Sequence, residues 1–123
     1  LFRESLRVLK LNGNLIAVVP FLHQVHPSPQ DYFRYTKECL KKILLESGFS
    51  EIEISEIGSG AFSAAYNLTQ RFFPDFLCFF IEKMFVFIDK FLACISKILG
   101  RKYDGKEYPL GYLIRARKTI DHK

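Results

Sequence analysis

Tryptophan is absent from this chain of 123 residues, methionine occurs once and cysteine three times. Cys39, Cys78 and Cys94 stand far apart and form no CxxC pair. That spacing argues against a zinc site or a disulfide frame, and for a reducing, cytoplasmic compartment. Cys78 and Cys94 lie in apolar helical surroundings, where a thiol behaves as a small hydrophobe. No stripe of clustered Lys and Arg interleaved with stacking aromatics is present. The net charge of +5 is scattered apart from Arg115, Arg117, Lys118 and Lys123, so nucleic acid is not an expected partner. No apolar run reaches the roughly 20 residues of a membrane span. No internal repeat or low-complexity linker divides the sequence, and a single domain over 1–123 is expected.

What is present reads as a folded α/β chain. Hydrophobic residues make up 49% and charged residues 25%, which is ordinary for a globular protein. The chain opens on "LFRESLRVLK", the second half of an amphipathic helix, from which we expect it to be a piece of a longer protein. "LNG" at 11–13 stops that helix, because Asn and Gly accept the left-handed conformation. "NLIAVVPF" is a short, nearly continuous apolar run between Gly and Pro, the pattern of a strand buried on both faces of a parallel sheet. Thr36 is the expected N-cap of a helix carrying Leu40, Ile43 and Leu44 and closed by Gly48. "SEIEISEIG" alternates as a strand with one wet face, with a slip near Ser55 that keeps Ile57 on the side of Ile52 and Ile54. "GSGAFSAAYNL" (58–68) reads as a loop leading into a helix, and 67–100 as one very apolar helical segment. A turn-rich loop (103–111) precedes a last strand, "YLIRARK" (112–118). Strands alternating with helices imply a layered α/β sheet.

Several of these stretches, in this order, resemble the C-terminal half of a class I S-adenosylmethionine-dependent methyltransferase of the broad type 11 group. They are "LRVLKLNGNLIAVVPF", "DYFRYT", the helix ending "ESGF", and "YPLGYLIRARK". The family's usual LKPGG turn survives here as Leu9, Lys10 and Gly13, with Leu11 and Asn12 in place of Pro and Gly. The resemblance implies a partial Rossmann-like sheet: the last three of seven strands, closed by a reversed final hairpin, with 67–100 as a helical insertion before the final strand. It also implies that the cofactor, S-adenosyl-L-methionine, is held mainly by a glycine-rich loop and an acidic residue lying outside this sequence. The glycines at 58 and 60 follow the wrong strand to be that loop. The chain would then be the substrate-side portion of the enzyme, incomplete and inactive alone, working on a small or lipid-linked acceptor.

The stretch "PFLHQVHPSPQDYFRYT" (20–36) leaves the carboxyl end of the first strand, where ligands sit in open α/β sheets. It carries two of the three histidines, two tyrosines, an arginine and an aspartate. Methyl transfer needs an acceptor aligned with the sulfonium carbon and often a base near neutral pKa. His26 is the first candidate for that base and His23 the second. Asp31, Tyr32, Arg34 and Tyr35 are candidate substrate contacts, Arg34 as a clamp for a carboxylate or phosphate. The competing reading is structural: Asp31 and Thr36 as helix caps, Arg34 as an ion-pair partner, and both histidines as scaffold.

The segment 73–100 accounts for much of the phenylalanine, thirteen in all. Its polar pairs Glu82–Lys83, Asp89–Lys90 and Ser96–Lys97 recur every seven residues, a narrow polar stripe on an otherwise apolar helix. Three readings stand side by side: burial against its own domain, a cap over an apolar substrate or a dimer contact, and a peripheral membrane contact with the lysines near head groups. The alternative to an enzyme is a non-catalytic membrane- or partner-binding module that uses this helix as its working surface.

Overall fold

A computed structural model describes residues 1–25, 32–101, 103 and 105–119. The elements run α1 (Phe2–Val8), β1 (Asn14–Pro20), α2 (Lys37–Glu46), β2 (Ser50–Ile57), α3 (Ala61–Thr69), a 3₁₀ turn (Gln70–Phe72), α4 (Asp75–Ile98) and β3 (Gly111–Arg117). The class is α/β, as expected. The chain gathers into two compact units. One comprises Leu1–Phe21, Phe33–Ser55 and Tyr112–Lys123; the other comprises Leu22–Tyr32 and Glu56–Gly111.

The first unit is built on a three-stranded sheet in the order β1-β3-β2. β3 runs against both neighbours. Asn12 N–H donates to the Lys118 carbonyl at 2.7 Å and Lys118 N–H to the Gly13 carbonyl at 3.0 Å, pairing the start of β1 with the end of β3. At the other end Leu110 N–H donates to the Ile57 carbonyl at 2.7 Å. β1 and β2 therefore point the same way with the reversed β3 between them. The turn before β1 works as its residues dictate: Asn12 sits at φ 63°, a left-handed dihedral that Asn tolerates.

One face of the sheet is covered. Leu6 of α1, Leu40 and Leu44 of α2, Phe49, and Tyr112, Ile114 and Ala116 of β3 form the core, with Leu15, Ala17, Val19, Ile52 and Ile54 packed against it. Each fully buried Leu or Ile contributes about 1.5–3 kcal/mol. α2 starts on Thr36, whose Oγ1 accepts Cys39 N–H at 3.3 Å. It ends in a Schellman closure: Phe49 N–H reaches the Leu44 carbonyl at 3.1 Å and Gly48 N–H the Leu45 carbonyl at 3.0 Å. Gly48 takes φ 97°, the left-handed position this motif reserves for glycine. Phe49 and Leu44, joined by that bond, enter the same core.

Three expectations are corrected. β1 is not buried on both faces: its residues alternate, and Ile16 and Val18 are 66% and 65% exposed. An apolar run gives the composition of both faces but not whether a second layer covers them. β2 makes no slip near Ser55; strict alternation carries Ile57 to the open face and leaves Glu56 half-buried, since each residue of a strand reverses the side-chain direction. The stretch 58–68 is mostly helix rather than loop, because α3 begins at Ala61, and the 3₁₀ turn and Pro74 separate it from α4.

Truncating Leu44, which has no exposed surface, is expected to destabilise the protein by about 3 kcal/mol, read from the urea midpoint of Leu44→Ala. Gly48→Ala should cost about 1 kcal/mol through its left-handed backbone alone.

Candidate functional site

The stretch after β1 divides between the two units. In the sheet unit, Phe21 packs on Tyr112 with ring centroids 5.7 Å apart. Phe33 stacks on Tyr35 at 5.6 Å. Tyr35 is half-buried and lines a cavity of about 370 Å³ with Phe2, Val19 and Ile43. Arg34 is half-buried beside it in sequence. His23 and Tyr32 belong to the other unit, and both are exposed. Of the six predicted site residues, His26 and Asp31 lie outside the described residues. A larger cleft, about 530 Å³, opens between α1 and the end of α2, lined by Arg3, Arg7, Glu46 and Lys118. It lies at the amino ends of β1 and β2, away from where ligands enter an open α/β sheet.

The second unit holds a polar centre that sequence reasoning missed. α3 starts at Gly60, which has no side chain to cap it. The cap comes from α4 instead. Asp89 has no exposed surface; its Oδ1 accepts Phe62 N–H at 3.0 Å and its Oδ2 accepts Ser63 N–H at 2.7 Å. The Tyr103 hydroxyl accepts Ala61 N–H at 3.2 Å and donates to Asp89 Oδ1 at 3.3 Å. Three of the donors that a helix start leaves without intrahelical partners are thus satisfied. The carboxylate also lies where the helix dipole is positive. Gly60 is required for this approach. A Cβ there would come within 2.5 Å of Asp89 Oδ1 and 2.6 Å of the Tyr103 hydroxyl oxygen. Burial is the largest influence on Tyr103 and pushes its hydroxyl above the ordinary value; Ala61 N–H opposes this and the Asp89 carboxylate reinforces it. Further along, the Tyr66 hydroxyl donates to the Cys78 carbonyl at 2.9 Å. Burial, reinforced by Cys78, pushes that hydroxyl from 10 up to about 12.

This centre fixes the rotation of α4. Asp89 and Ser96 are buried, and Phe85 turns inward onto Phe62 and Tyr66 at 6.1 and 6.0 Å. The opposite side of α4 is open: Phe76 is 74% exposed, Phe80 69% and Phe87 68%. Burial of the wide apolar arc against its own domain is therefore not what the structure has. Part of the polar stripe faces in and the phenylalanines face out. The seven-residue recurrence of Glu82, Asp89 and Ser96 was visible in the sequence. It marks a distinct face but not which way that face turns.

At the C-terminal end of α4, Ala61, Phe62, Leu92, Ile95, Leu99, Arg101 and Tyr103 line an open, mainly apolar cavity of about 330 Å³. Among the described residues no group of three His, Cys, Asp or Glu is arranged to hold a metal, and no helix is long and apolar enough to cross a membrane. Comparison with protein-family models, with curated proteins and with solved structures gives no match.

Asp89→Ala should destabilise the protein by roughly 3 kcal/mol, two charge-assisted bonds being lost and a helix start left bare. Amide exchange at Phe62 and Ser63 should accelerate most. Because both tyrosines ionise above the unfolded value, the unfolded chain loses protons first as pH rises. Stability should therefore be complete below about pH 10 and fall from there towards 12. Tyr66→Phe and Tyr103→Phe should flatten that decline in denaturant titrations.

Proposed function

We propose that this chain is the substrate-side portion of an S-adenosylmethionine-dependent methyltransferase acting on a small or lipid-linked acceptor. The observation that carries the reading is the strand arrangement: β3 lies reversed between two strands that run in parallel. A sheet closed by a reversed strand is what the sequence resemblance implies for the last three strands of such an enzyme. β1 stands at one edge with Ile16 and Val18 uncovered. That is how the interior strand of a larger, doubly covered sheet would look with its neighbours removed.

The methyl donor does not fit the residues described. Gly58 and Gly60 follow β2. Gly58 packs against Leu110, and Gly60 is committed to the α3 cap, so neither can cradle a nucleoside. The proposed work of this chain lies with the acceptor. The stretch after β1 leaves the carboxyl end of that strand, the end at which β2 stops and β3 begins. His23, Tyr32 and Arg34 on it, with His26 and Asp31 outside the described residues, are the proposed base and acceptor contacts. Tyr35, half-buried and stacked on Phe33, is the remaining proposed acceptor contact. The 330 Å³ cavity, apolar with Arg101 and Tyr103 at its edge, suits the chain and head of a lipid-linked acceptor.

Extended upstream by its coding sequence, the protein should show a thermal shift with S-adenosylhomocysteine, while residues 1–123 alone should show none. In the extended protein His26→Ala should lower turnover at least tenfold, on the scale of general-base catalysis, with donor affinity retained. His23→Ala should have the smaller effect. An extended protein indifferent to S-adenosylhomocysteine would end the methyltransferase reading.

A further inference from the structure

We infer that α4 is an interfacial helix that lies on an anionic lipid bilayer with its phenylalanine ridge immersed. The inference is independent of methyl transfer. The ridge is Phe76, Phe80, Met84, Phe87, Phe91 and Ile98, all exposed. They follow at intervals of four, four, three, four and seven residues. At 3.6 residues per turn these positions fall within an arc of about 80°, centred opposite the buried Asp89. The α4 ridge is continuous over most of a helix of 24 residues, about 36 Å long.

The charges on α4 indicate the occupant. Lys83, Lys90 and Lys97 recur every seven residues and line one flank of the ridge. All three are exposed. Lys83 Nζ stands over the Phe79 ring, 5.5 Å from its centroid, so an ammonium and an aromatic of α4 already sit side by side. Of the three acidic residues of α4, Asp89 is consumed inside by α3. Asp75 and Glu82 are exposed, with Asp75 on the first turn. The accessible surface beside the ridge is thus predominantly cationic. An apolar ridge bordered by a lysine row matches a bilayer whose acyl region takes the rings and whose phosphates meet the ammonium groups. It lies on such a surface rather than across it, since lysines interrupt the apolar residues every two turns and no helix among the described residues is apolar enough to cross. A second copy is a poorer occupant. An antiparallel two-fold pairing through the ridge would bring both lysine rows to the same side, like charge beside like charge.

The absence of tryptophan makes the test clean. Phe87→Trp supplies the only indole, and its emission should shift to the blue on adding mixed phosphatidylglycerol–phosphatidylcholine vesicles. Leu45→Trp, on α2, should not shift. In flotation, residues 1–123 should rise with the mixed vesicles and hardly at all with pure phosphatidylcholine, and added salt should weaken the association. Phe80→Ser with Phe87→Ser should bring flotation to background while circular dichroism and the urea midpoint stay unchanged, because both rings are outside the fold. Replacing all three lysines with Gln should weaken partition into mixed vesicles by about a hundredfold. The inference is overturned if the wild-type chain floats with neither vesicle. It is equally overturned if the serine variant floats as well as the wild type, or if sedimentation shows a dimer that the serine changes dissociate without any vesicle binding.

Discussion

A carboxylate without exposed surface, held by two backbone N–H groups of another helix, constrains everything around it. Asp89 cannot be turned toward water without stripping the start of α3 of its cap, and α3 has no cap of its own because Gly60 precedes it. Gly60 in turn cannot be another residue, because a Cβ would occupy the carboxylate's place. Three features that look separate in the sequence are thus one device: the glycine before α3, the one buried acid of an apolar helix, and Tyr103 in the following loop. Its consequence is geometric. With Asp89 fixed inward, the far side of α4 must be the phenylalanine side, and an amphipathic helix ends with part of its polar stripe inside and its aromatics outside.

The sheet unit follows a different logic. Its core is conventional, with two helices laid over one face and the apolar half of each strand beneath them. The other face is uncovered: apolar at β1, where Ile16 and Val18 are open, and charged towards β2, where Glu51 and Glu53 meet Arg117 and Arg115 at 3.2 and 3.9 Å. Exposed pairs of this kind contribute little stability. They do keep the β2 side soluble while the β1 side remains apolar. That asymmetry is what the proposed larger sheet would need, with further strands added beyond β1 and an end at β2.

The two proposals draw on different chemistry. Methyl transfer to an acceptor rests on strand order and on imidazole, hydroxyl and guanidinium groups in the stretch after β1. Membrane association rests on the rotation of one helix and a row of ammonium groups. A lipid-linked acceptor would make use of both, since an enzyme held at a bilayer meets such an acceptor at a raised local concentration.

Local signals were legible wherever one residue type has one physical use. Thr36 starting α2, Gly48 closing it, Asn12 turning left-handed, and the alternation of β3 and of β2 as far as Ile54 all follow from side-chain reach, φ preference or the two-residue period, and the structure has each of them. The α/β class followed from their order. The sequence could not say which sides of its apolar elements meet something. "NLIAVVPF" and the helix after Pro74 both carry more apolar surface than one interface needs, and periodicity assigns faces without assigning neighbours. Only the folded chain decided that Ile16 and Val18 stay open and that Asp89 turns inward. Those outcomes depend on where a second layer or a bare helix start lies in space, and no spacing along the chain encodes that.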